Sequence, residues 1–166
     1  VFVQSETKDV LLAIFFVSGY NTFIKAKKKG CYLMKILVID AQGGGIGRQL
    51  VSGIRQELPL ASVMAVGANS AATDAMLKAG AQTAATGENA VLVACRKADI
   101  IVGPIGIVIA DAMLGEITPA MAAAVGQSPA KKILIPFRSC DNIVVGISEQ
   151  PMRQLIQEAI KEILLA

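Results

Sequence analysis

The segment Val38–Val51, VIDAQGGGIGRQLV, constrains the fold more than any other part of the chain. A β-branched run stops at Asp40, four of the residues from Ala41 to Gly47 are glycine, and apolar residues then recur at helical spacing. A strand that turns this way into a helix is the opening of a parallel α/β unit. Glycines let the backbone approach an anion, and the free N–H groups of the following helix complete the cradle. A tight turn without a ligand needs only about one or two glycines. The excess points to a bound group.

The rest of the chain repeats the alternation. Lys35–Ile39 is a short apolar run, as expected of a strand buried on both faces. Ile46, Leu50, Val51, Ile54 and Leu58 line one side of a helix closed by Pro59. Ser62–Gly67 and Asp99–Gly103 predict strands, Ala81–Thr86 a shorter one, and Glu88–Lys97 a helix. An Ala/Met-rich stretch from Ile107 predicts helix, broken at Thr118-Pro119, where a new helix can start with proline in its first turn. Lys132–Phe137 and Asn142–Ile147 predict two strands close enough for an antiparallel hairpin, and a helix follows Pro151. These elements predict a Rossmann-like three-layer α/β sandwich. Its sheet is mostly parallel, of order about 3-2-1-4-5, with an antiparallel edge strand.

Residues 1–33 differ from this pattern. Val10–Val17 is apolar but shorter than the roughly 20 residues that span a bilayer. Lys27–Gly30 is encoded by purine-rich codons resembling a bacterial ribosome-binding site, and Met34 follows shortly after. The segment therefore reads as a non-native upstream leader, with a basic membrane-surface arm as the alternative. Residues 34–166 are expected to form a single domain. From Met34 onward, 11 Lys and Arg balance 11 Asp and Glu, so the net +3 belongs to the leader. A neutral domain whose one aromatic residue is Phe137 offers no footprint for nucleic acid and no platform for stacking bases. The sequence has no histidine, and Cys95 and Cys140 alone make a poor metal site. Isolated thiols fit a reducing cytoplasm, and no membrane partner is expected.

Ligands of open α/β sheets sit at the carboxyl edge where strand order reverses, here between Lys35–Ile39 and Asp99–Gly103. Each strand leads into a glycine turn, Gly43–Gly47 and Gly103–Gly106. The expected binding residues are Gln42, Gly43, Gly44, Gly45, Ile46 and Gly47 on the first turn, and Gly103, Pro104, Ile105 and Gly106 on the second. Gly43 and Gly45 fit G-x-G-x-x-G, but Arg48 stands in the third glycine's place. In a P-loop of the partition-ATPase type, Arg48 and Gln49 would replace the lysine and the Mg-binding hydroxyl. Asn69 stands near where dinucleotide folds carry an acidic ribose ligand, although Ser70 as a plain helix cap explains that site equally well. The ligand is thus a small anion or a nucleotide, with NAD(P) as one option.

Proton-transfer candidates are Asp40, Glu88, Asp111 and Glu116, and Cys140 beside Arg138 is a candidate nucleophile. Asp40 also suits a structural role, accepting backbone N–H bonds in the turn. Without histidine, or tyrosine after Tyr32, a binding or sensing module is favoured. The alternatives are a small oxidoreductase or other nucleotide-dependent enzyme using Asp40 and Glu88, and a deviant P-loop NTPase. Ile107–Val125, with few charges, predicts a homo-oligomer.

The blocks MKILVIDAQGGGIGRQLV, AATGENAV, ADIIVGPIGIVIADAMLGEITPAMA and KKILIPF together resemble a bacterial family known as domain of unknown function 3842. The resemblance covers essentially Met34 to the last residue. It implies a Rossmann-like fold of NAD(P)-binding type and no assigned activity. Its blocks fall on Asp40–Gly47, Thr86–Asn89 and Gly103–Gly106.

Overall fold

The computed structural model describes residues 6–7, 10–17, 20–27, 33–136, 144–146 and 150–166. The chain divides into two compact units, Val1–Leu33 and Met34–Ala166. In the first, strands β1 (Glu6–Thr7), β2 (Val10–Val17) and β3 (Tyr20–Lys27) form an antiparallel sheet in that order.

The second unit alternates strands and helices. In order come β4 (Lys35–Asp40), α1 (Gly45–Glu57), β5 (Ser62–Gly67), α2 (Ser70–Lys78), β6 (Thr83–Thr86) and α3 (Glu88–Cys95). Strand β7 (Ile100–Pro104), a 3-10 turn (Ile105–Val108), α4 (Pro119–Gln127), β8 (Lys131–Ile135) and α5 (Met152–Leu164) complete it. Its sheet runs β6-β5-β4-β7-β8 with every pair parallel, which is the predicted order 3-2-1-4-5. The strand order reverses between β4 and β7.

Side chains alternate across each strand, so a sheet covered on both faces needs apolar residues at every position. On one face Ile36 and Val38 pack with Leu50, Val51 and Ile54 of α1 and with Ile160 and Ile163 of α5. On the other, Leu37 and Ile39 pack with Val91 of α3 and with Met121 and Val125 of α4. The result is three layers, helix on sheet on helix.

Two expectations change. The stretch after Ile107 is not helical before Pro119. It leaves the 3-10 turn and runs irregularly, with positive φ at Asp111, Met113, Leu114 and Gly115. Its apolar composition imitates a buried helix, but successive left-handed residues cannot continue a right-handed one. The antiparallel edge strand is not seen: of Asn142–Ile147, the described residues Val144–Gly146 form an exposed turn, and the others lie outside the described residues.

Candidate functional site

Asp40 ends β4 and is 4 % exposed. Its Oδ1 accepts the Ala41 N–H at 2.8 Å, and its Oδ2 accepts the Gly47 N–H at 2.6 Å. The residue before α1, Gly44, has no side chain to cap the helix, so the strand's last carboxylate takes the N-cap's task from below. Burial pushes the Asp40 pKa up. The N–H bonds from Gly47, Ala41 and Ile46 pull it down, and the charge of Glu116 adds to the rise.

The four glycines of the turn divide into two pairs. Gly44 has φ +66, and a Cβ there would lie 2.7 Å from the Ala72 Cα on α2. A Cβ on Gly47 would lie 2.5 Å from Met76 Sδ and 2.8 Å from Asp40 Cβ. The fold itself requires these two. Gly43 and Gly45 have nothing within 4 Å of a built Cβ and no positive φ. Both border a cavity of about 330 Å³ whose lining also includes Asp40, Ile46, Gln49, Pro104, Met113 and Met152.

The second turn is built differently. A Cβ on Gly103 would lie 2.3 Å from the Ile39 carbonyl oxygen, so this glycine is needed for the close approach of β7 to β4. Pro104 and Gly106 line the cavity, whereas Gly103 and Ile105 do not. Only the four-residue 3-10 turn Ile105–Val108 follows, so no helix of length begins at this wall.

The segment after that turn crosses to the first one. Glu116 Oε2 accepts the Gln42 N–H at 2.8 Å and a bond from Asn69 Nδ2 at 2.6 Å. Gln42 has φ +51, in a region that costs a non-glycine residue about 1–3 kcal/mol unless the surroundings hold it. Asn69 is the N-cap of α2: its Oδ1 accepts the Ala72 N–H at 2.8 Å, while Nδ2 also donates to the Gln42 carbonyl at 2.9 Å. Its carboxamide is committed to the fold and does not line the cavity, and Ser70 is not the cap.

Glu88 also stands away from the cavity. Its carboxylate accepts the Thr118 hydroxyl at 2.5 Å, and Thr118 caps α4, so this pair joins α3 to α4. Asp40 and Glu88 therefore do not share the cavity as an acid–base pair would need to. Asp111 lies exposed on the irregular segment. Cys140 and Arg138 lie outside the described residues. Arg48 is exposed, while Gln49 lines the cavity and donates to the Gly45 carbonyl at 3.1 Å. Among the described residues, no group of three or more acidic or Cys side chains is placed to hold a metal ion.

Sequence reasoning missed Gln49, Met113 and Met152 as lining residues. Gln49 had a local signal, since it stands one helical turn after Gly45. The two methionines reach the cavity from a distant loop and from the start of α5, and no local pattern marks them. Among the described residues, no helix is long and apolar enough to cross a membrane.

No curated protein matches this chain. Among solved structures, the dodecameric FMN-dependent Ubix-like decarboxylase from Escherichia coli O157:H7 is similar at 17% identity and a TM-score of 0.40. That likeness covers 78% of this chain and 75% of that one. It is too slight to carry over ligand or reaction. Residues 35–165 match the family described as Domain of unknown function (DUF3842), a span that takes in every strand and helix of the second unit. With its α/β architecture built around the glycine turn of β4 and α1, the chain belongs to the DUF3842 family.

Proposed function

We propose that residues 34–166 form a binding or sensing module for a nucleotide-type ligand. Its phosphate rests on the Gly43 and Gly45 N–H groups, and its ring lies against Ile46, Pro104, Met113 and Met152. One observation carries this reading: Gly43 and Gly45 have no packing or conformational need to be glycine, and both border the cavity at the switch point. Small-molecule sites are typically apolar clefts of about 300–1,000 Å³ with a few placed polar groups. At about 330 Å³ the cavity suits a single nucleotide better than both halves of NAD(P). The reading includes self-association through the irregular segment, whose Leu114 is 94% exposed. Sedimentation at micromolar concentration should then show a species larger than a monomer.

The test of the ligand is a thermal-shift screen of phosphate, AMP, flavin mononucleotide, NAD, NADP, ATP and GTP. A ligand present at about 100 times its Kd stabilises the folded state by about 2.7 kcal/mol, enough for a readable shift in melting temperature. Stabilisation by a compound of this class supports the module. A flat response to all of them removes it.

A further inference from the structure

Glu116 is tied to the glycine turn more closely than a crossing loop requires. One oxygen, Oε2, takes both the Gln42 N–H and the Asn69 amide, and Gln42 is the left-handed residue directly before Gly43. The same irregular segment carries Met113 into the cavity lining. Glu116 thus fixes the shape of the turn and also brings a negative charge to the peptide that adjoins its open glycines. Asp40 lies beneath the same turn, and the two carboxylates repel. Asp40 lines the cavity; Glu116 does not, and its charge reaches a phosphate on the Gly43 and Gly45 N–H groups through its bond to the lining residue Gln42. One phosphoryl group has those N–H partners to offset the repulsion, but each further phosphoryl group adds charge within the field of the same carboxylates.

We propose that Glu116 is the specificity-determining residue of this site: its hydrogen bonds position the turn, and its charge restricts the site to ligands carrying one phosphate. The proposal rests on the nucleotide reading above. Both hydrogen bonds end on a single oxygen, so Glu116→Gln can keep them through its amide oxygen while losing the charge. Glu116→Ala loses both.

The experiment is calorimetric titration without magnesium, which would itself neutralise phosphates. AMP, ADP and ATP form one series; phosphate, pyrophosphate and tripolyphosphate form the other. The wild type should prefer the one-phosphate member by about tenfold or more, and added salt should shrink that preference. Glu116→Gln should reduce the preference at least about threefold without weakening one-phosphate binding, and Glu116→Ala should weaken one-phosphate binding. Equal affinities across a series in the wild type, or an unchanged preference in Glu116→Gln, would overturn the proposal and leave the nucleotide reading standing. Loss of one-phosphate binding in Glu116→Gln would equally overturn it. No binding of either series to the wild type would remove the nucleotide reading and this proposal together.

Discussion

The two glycine turns at the carboxyl edge look alike in sequence and are built for different ends. In the first, glycines forced by packing alternate with glycines whose Cβ would touch nothing, and a 13-residue helix begins there. In the second, Gly103 is forced by the Ile39 carbonyl, Pro104 and Gly106 form a wall, and only one 3-10 turn follows. Glycine therefore has two meanings at this edge. Where a Cβ would strike another backbone, it records a close approach of the chain to itself. Where a Cβ would enter open space, it keeps that space open.

This contrast can be broken most sharply at Gly103. Gly103→Ala drives a methyl group into a backbone oxygen inside the sheet, and overpacking with no flexible neighbour should cost about 3 kcal/mol or more. Urea denaturation would measure it, and a stable Gly103→Ala would show that the second turn has room for a ligand after all. Gly45 should behave in the opposite way. Gly45→Val should stay folded and lose at least about tenfold in affinity, about 1.4 kcal/mol, for whichever ligand the screen finds. Gly45→Ala should gain up to about 1 kcal/mol of stability, because its backbone is already helical, and should still bind more weakly. A folded Gly45→Val with full affinity would erase the distinction between the turns.

Asp40 gives a pH test that touches only the first turn. Its folded pKa is raised above the ordinary carboxylate value of 3.8, burial being the largest cause. Its contribution to stability is therefore fully present below that value and is lost as pH rises through the folded pKa. Melting temperatures measured upward from about pH 4 should include this decline in the wild type and lack it in Asp40→Asn. Matching slopes would mean that the carboxylate titrates as it does unfolded. Arg48→Ala should have the smallest effect, lowering affinity less than about threefold in titration, because its charge is exposed and screened.

The sheet was legible because buried parallel strands need apolar residues on both faces, and Lys35–Ile39 and Asp99–Gly103 have that composition. Alternation of strands and helices fixed the parallel pairing but not the order, which came from the Rossmann-like pattern. The division of the glycines was not legible: what forces Gly44 is Ala72, on a helix two elements later, and Gly47 is held between Met76 of that helix and the Cβ of Asp40. Asn69 was ambiguous for a related reason. A cap and a ribose contact use the same amide, and only the surrounding fold shows that Ala72, Gln42 and Glu116 already occupy it. The segment after Ile107 misled by composition, since apolar residues without polar interruption suit a helix and a packed loop equally.

Asp40 also bears on how folding relates to the loading of a site. Many cofactor sites leave a helix end or a set of ligands unsatisfied until the guest arrives, so that folding and loading become one event. Here the chain carries its own counter-ion, a carboxylate already bonded inside the first turn of α1. The first turn of α1 is thus closed by the chain's own groups, and folding of this edge waits on no guest.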